Sequence, residues 1–165
     1  MTARRLHIAF VLAAAGWAAL LVLTPFLASR AHASTIESVL AIAVYAVGSA
    51  VCHQLPDRSF HLWSTQLPVC ARCTGIYFGA AAVAIATVVR SPRAPGLPKR
   101  EARIRIALER SRLVVALAVL PSAATLVFEW TAGVAPGNWI RFAAGLPIGA
   151  AAAWLVGAAA ENQVN

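Results

Sequence analysis

Residues 51–89 read V-C-H-Q-L-P-D-R-S-F-H-L-W-S-T-Q-L-P-V-C-A-R-C-T-G-I-Y-F-G-A-A-A-V-A-I-A-T-V-V. The second half, from Thr74 to Val89, is a small-residue apolar run approaching the roughly 20 residues that cross a bilayer core as helix. Gly75 and Gly79 stand four apart in it, on one helix face, where absent side chains let a second helix come close. The first half is its opposite. It is polar, broken at Pro56, and holds all three cysteines of the chain and two of its four histidines. The contrast predicts a lipid-embedded helix bundle with one compact patch of chemistry at its edge.

The rest of the chain extends the same pattern. Of 165 residues, 60% are hydrophobic and 12% charged, with mean hydropathy +0.72; soluble domains carry about a quarter charged residues. Further apolar runs lie at 8–27, 36–51, 113–128 and 140–160, and with 74–89 they predict an all-α polytopic bundle of about five transmembrane helices in a single domain. The first run follows Arg4-Arg5 and precedes Ala31-His32-Ala33, the outline of a cleavable signal peptide with an A-x-A site. Its length exceeds the usual apolar core of about 7–15 residues, which favours a retained helix. The second run is short and leaves Cys52 and His53 near the membrane edge. Pro121 predicts a kink in the fourth run, and Gly145 and Gly149 give the fifth a small-residue face of its own.

The formal charge of +8 falls mostly beside apolar runs, which is how membrane topology is written and not how nucleic acid is bound. Residues 90–112 hold eight Arg or Lys against Glu101 and Glu109: a proline-rich loop first, then an interfacial helix, facing the cytoplasm and anionic headgroups. Five crossings would set this loop opposite the N-terminus, although Arg4 and Arg5 also ask for the cytoplasm. The larger cluster decides. The Cys/His loop 52–73 is therefore placed outside the cytoplasm, in a multi-pass protein of the plasma membrane.

The chemistry of that loop starts from Cys70-Ala71-Arg72-Cys73, a C-x-x-C at a helix start. Two thiols so spaced share a metal ion or form and break a disulfide, and the helix N-terminus and Arg72 both favour a thiolate. Cys52 and His53 add a third sulfur and an imidazole, a set for a tetrahedral zinc or other transition-metal site, with His61 an alternative fourth ligand. A Cys70–Cys73 disulfide would leave Cys52 odd, whereas a metal uses all three. Adjacent residues on a helix diverge by about 100°, so Cys52 and His53 serve one ion only if the helix has ended there. A thiol-disulfide oxidoreductase using Cys70 and Cys73, and plain buried or disulfide-bonded cysteines, stay open beside the metal.

Other groups on the same face suit an anionic small molecule or a lipid headgroup. Asp57-Arg58-Ser59 offers an anion, a cation and a hydroxyl in one turn; Asp57 as a helix cap and Arg58 on lipid phosphate is the plainer assignment. Glu129 and Arg141, at helix ends, pair with each other, or Glu129 stands beside the cysteines as ligand or proton acceptor, with Asn138 orienting either. A small transporter or membrane enzyme lined by Arg58, Arg141 and Glu129 is a third possibility. Trp63 serves as an interfacial anchor.

The two segments C-H-Q-L-P-D-R-S-F and C-A-R-C-T-G-I-Y-F-G closely resemble the signature of a prokaryotic family of membrane proteins catalogued as domain of unknown function 2085. The resemblance rests on Cys52, His53, Gln54, Pro56, Arg58, Ser59, Phe60, Cys70, Arg72, Cys73, Gly75, Tyr77 and Gly79, and Asn138, Arg141, Gly145 and Gly149 resemble a further element of the pattern. It covers about residues 40 to 155 and implies a polytopic membrane protein, with no established activity attached. One departure lies in the fourth helix, where the family pattern carries an Asp and a Gln and this chain has Thr125 and Glu129.

Overall fold

A computed structural model describes residues 2–89 and 100–162. Five helices follow one another: α1 (Thr2–Ser29), α2 (Thr35–Val51), α3 (Ala71–Val89), α4 (Arg100–Ala132) and α5 (Asn138–Asn162). Between α2 and α3 lie a single 3-10 turn (Pro56–Arg58) and a two-stranded antiparallel hairpin, β1 (His61–Leu62) with β2 (Thr65–Gln66). The first ten residues of the basic connection, 90–99, lie outside the described residues; from Arg100 onward the chain is already helical and runs without interruption into α4.

The central seam joins α3 to α5, and glycine makes it. A methyl group added at Gly75 would strike the Phe142 carbonyl, and one at Gly79 the Leu146 carbonyl. From the other side, additions at Gly145 and Gly149 would strike the carbonyls of Arg72 and Ile76. The two small-residue faces expected from sequence therefore meet each other. Contact positions rise together along both helices, so α3 and α5 run parallel. In lipid, where apolar helices gain little by hiding from solvent, this close backbone approach supplies the packing energy. Exposed Ile36, Ile42, Leu113 and Leu120 are then ordinary lipid-facing residues.

α4 runs back beside α5, with Ser122 Oγ donating to the Ala144 carbonyl at 2.8 Å. Gly133, at φ 65, terminates α4 in the left-handed region that glycine enters freely, its N–H on the Glu129 carbonyl at 3.1 Å. α1 packs antiparallel to α3. Trp17 meets Tyr77 edge-on at 5.9 Å, and His7 lies 3.2 Å from Thr87 Oγ1. A methyl group added at Gly157 of α5 would lie about 3.8 Å from the same two side chains.

Length and composition separate the five helices. α1, α3, α4 and α5 are each long and apolar enough to cross a membrane, whereas α2 has 17 residues. At about 1.5 Å per residue α2 is short of a bilayer core. Its C-terminal half and the end of α1 both lie at the hairpin: Tyr45 bonds the Gln66 carbonyl and Phe26 meets Trp63 at 5.3 Å. The start of α1, the end of α3 and the end of α5 share the opposite end of the bundle. The start of α1 thus lies at the end of the bundle where α3 ends, away from the cysteine loop. A capping box between Ser34 and Glu37 starts α2 as a separate element, and Arg30 pairs with Glu37 at 2.8 Å across the turn.

Candidate metal centre

The site is assembled where α2 stops. Cys52 caps α2 in an extended conformation (φ −148°, ψ 140°), its N–H on the Gly48 carbonyl at 2.9 Å. The helix has ended, as sharing one ion requires. Gln54 follows at φ 49, a left-handed position rare for a residue with a side chain, and folds its amide back under the loop. Gln54 Nε2 donates to the Tyr45 carbonyl at 3.0 Å and to the Pro68 carbonyl at 2.5 Å. Gly48 makes room for this strap, since an added methyl there would strike the Pro68 carbonyl.

Two further bonds tighten it. Gln66 Nε2 reaches the Gln54 carbonyl at 2.6 Å and Ser59 Oγ at 3.2 Å, while the Tyr45 hydroxyl donates to the Gln66 carbonyl. Leu67, Pro68 and Val69 are buried as a result, and the chain enters α3 directly beside the end of α2. Asn138 Nδ2 holds the Ser59 carbonyl at 3.0 Å, and Phe60 lies on Trp139 at 4.9 Å, so α5 pins the hairpin from the other side.

The product of this bracing is a cluster of three sulfurs. Cys52, Cys70 and Cys73 have their Sγ atoms all within 4.8 Å of one another, and each is free and half-buried. Cys70 sits at the N-terminus of α3, its carbonyl accepting from Thr74 N at 2.9 Å and Thr74 Oγ1 at 3.1 Å. Its own N–H points to Cys52 Sγ at 3.2 Å. A hydrogen bond from the Cys73 thiol, against the pull of burial, brings Cys70 down to about 5; the Cys52 thiol and the N–H groups of Cys73 and Arg72 add to it. The same contacts favour the thiolate form of Cys70.

Arg72 serves the thiols through its backbone. Its guanidinium turns away to α4 and donates to Thr125 Oγ1 at 3.0 Å. Among the described residues, neither His53 nor His61, both exposed, joins the sulfur group, and Glu129 stands outside it as well. Tyr77, one turn beyond Cys73 on α3, lies within electrostatic reach of all three thiols. The expected Glu129–Arg141 pair is present at 3.4 Å, and Arg58 closes on the same carboxylate oxygen. Asn138 Oδ1 accepts from Arg141 at 3.4 Å, so Asn138 orients Arg141 while holding the hairpin. Asp57 is exposed beside Arg58 in the 3-10 turn, and Ser59 is buried and bonded to the Leu55 carbonyl at 2.9 Å.

Sequence reasoning singled out the cysteines but gave Gln54, Gln66 and Tyr45 no role. A glutamine flanked by the cysteine-histidine pair and a proline was the available signal.

A family model described as "Predicted membrane protein (DUF2085)" matches residues 52–155. An uncharacterized protein of Methanocaldococcus jannaschii is 44% identical over 57 residues, 34% of this chain and 36% of that one. An uncharacterized protein of Methanothermobacter thermautotrophicus is 53% identical over 30 residues, 18% of this chain and 27% of that one. The chain thus spans about a third of the length of the curated relatives it matches. No solved structure matches.

Proposed function

The chain belongs to the DUF2085 family of predicted membrane proteins, and from the grouping of its thiols we propose that it binds a thiophilic transition-metal ion such as zinc through Cys52, Cys70 and Cys73. One observation carries this reading: sulfurs from two segments 18 residues apart lie within 4.8 Å of one another. Keeping three thiols together costs bracing, and the bonds from Gln54, Gln66 and Tyr45 provide it. N–H groups directed at the sulfurs favour the thiolate form that a metal requires. With three protein ligands, the fourth position falls to water or an exogenous donor, the pattern of sites that act on a ligand and not of closed structural ones. Protein purified without chelator should carry about one ion per chain by elemental analysis. A folded, metal-free chain that takes up neither zinc nor copper(I) would overturn the reading.

The second reading, a dithiol exchanging with disulfides, is favoured by one specific feature, the placing of Cys70 at a helix N-terminus where its contacts lower the thiol pKa. A Cys73→Ser variant that accumulates mixed disulfides through Cys70 in membranes would support it over the metal.

The site is proposed to face away from the cytoplasm. Four crossings bring the Arg4-Arg5 end of α1 and the basic connection to one side, so both basic clusters obey the positive-inside tendency that five crossings would have split. Exposed Trp63, Trp130 and Trp139 at the cysteine end suit the aqueous interface. Fluorescent-protein fusions at the N- and C-termini should both fluoresce, and a phosphatase inserted after Gly133 should be active outside. Termini reporting opposite sides would refute this topology.

A further inference from the structure

A second polar group, separate from the thiols, is built on the last turns of α4. Arg141, 3% exposed, places Nη2 3.4 Å from Glu129 Oε1, and Arg58 of the 3-10 turn pairs with the same oxygen. One turn earlier on α4, Thr125 accepts from the Arg72 guanidinium at 3.0 Å. Residues four apart share a helix face. Arg72, Glu129 and Arg141 therefore gather on one side of α4, at the mouth of the bundle.

The charges there do not balance. Two guanidinium groups pair with the one carboxylate, and a third, that of Arg72, has among the described residues only a hydroxyl as side-chain partner. An excess of cations at the edge of the hydrocarbon is costly unless an anion answers it. The open hydrogen-bonding valences say which kind. Arg72 Nε and Arg141 Nε are buried donors without an acceptor, and Glu129 Oε2 is a buried acceptor without a donor. Water satisfies such atoms one by one but leaves the charge standing. A single ligand meeting both demands is an anion whose oxygens accept from guanidinium and which still carries a proton to give to a carboxylate.

We propose that this cluster binds a protonated phosphate-type oxyanion, either inorganic phosphate or the phosphomonoester headgroup of a lipid. Arg72 and Arg141 receive its oxygens, Glu129 Oε2 takes its O–H, and Arg58, with a side chain 44% exposed, forms the entrance. Sulfate has the same shape and charge-bearing oxygens but no proton near neutral pH, so the Glu129 oxygen disfavours it.

Thermal unfolding of the full chain in lipid-free detergent tests this with sodium phosphate against sodium sulfate at matched ionic strength. Phosphate should raise Tm saturably, and sulfate should bind at least about tenfold more weakly, the scale of one charge-assisted hydrogen bond. Glu129→Gln keeps an oxygen for the two arginines and turns the open acceptor into a donor, so the preference should reverse toward sulfate. Arg72→Gln retains a donor for Thr125 while removing the charge, and should weaken both anions. In nanodiscs containing phosphatidic acid, loss of the response to added phosphate identifies the lipid headgroup as occupant, and a retained response identifies the free ion. The proposal is overturned if wild-type protein shows no saturable phosphate shift, if phosphate and sulfate act alike, or if Arg72→Gln leaves the phosphate response unchanged.

Discussion

Gly149→Ala should destabilise the bundle by several kcal/mol, whereas Gly16→Ala should leave it unchanged or slightly more stable. The two substitutions add the same methyl group to a helix interior, and on propensity alone each gains up to about 1 kcal/mol. The difference is what the methyl meets. At Gly16 nothing lies within 4 Å. At Gly149 it would overlap the Ile76 carbonyl, with the Ala80 nitrogen 2.8 Å away. These are backbone atoms of α3, and they retreat only if the whole helix moves. Moving α3 from α5 also parts Gly75, Gly79 and Gly145 from the carbonyls they abut, so the cost spreads along the seam. Overpacking a core typically costs about 1–3 kcal/mol, and a clash with backbone belongs at or above the top of that range. Thermal unfolding followed by circular dichroism in detergent would read the difference as a lowered Tm for Gly149→Ala beside an unmoved Gly16→Ala. Equal Tm values for the two would mean that α3 and α5 are not in close backbone contact at Gly149. Gly145→Ala, facing the Arg72 carbonyl, should behave like Gly149→Ala and should also disturb the thiol site, because Arg72 lies between Cys70 and Cys73.

Much of this architecture is written in residue spacing. Gly75 and Gly79, Gly145 and Gly149 announce two close-packing faces, and apolar runs announce the helices that carry them. That the two faces meet each other is a tertiary fact, reachable only once parallel α3 and α5 are seen as neighbours. The thiol group was legible for a similar reason, since cysteines are scarce here and all three fall in one stretch. Its partners were less so. His53 adjoins Cys52 in sequence, yet the chain leaves α2 at that point and His53 stays exposed outside the sulfur group. The hairpin left almost no trace. Trp63 and Ser64 occupy its tip at φ 50 and 62, positions that Gly, Asn or Asp usually mark. Bonds from Gln54, Tyr45 and Asn138 hold the flanking segments and over-determine the turn, so it forms without its usual residues. The crossing count depended on three or four residues of α2, a margin that composition does not resolve. Packing bears on it by setting His7 beside Thr87, at the far end of α3 from the cysteines.

Cys52→Ser should leave the bundle folded and remove its metal. In the structure Cys52 Sγ accepts the Cys70 N–H at 3.2 Å, and a serine oxygen at the same place can accept it too. The cap of α2 involves the backbone of residue 52, not its side chain, so that also survives. What serine cannot replace is a soft thiolate donor, because an alcohol at neutral pH is neither deprotonated nor matched to a thiophilic ion. Disturbing only the outer partners of a metal ligand typically costs about 10–100-fold in affinity. Losing one of three thiolates should exceed that, taking bound metal from about one ion per chain to near zero after dialysis. The same variant separates the two readings of the C-x-x-C. If Cys70 and Cys73 work as an exchanging pair, Cys52→Ser keeps both sulfurs and their thiol-trapping reactivity. If all three cysteines hold an ion, free Cys70 and Cys73 become more reactive toward alkylating reagents while Tm barely changes in metal-free buffer. Unaltered metal content in the folded Cys52→Ser protein would exclude the three-sulfur centre, and would place any ion on the pair from α3 alone.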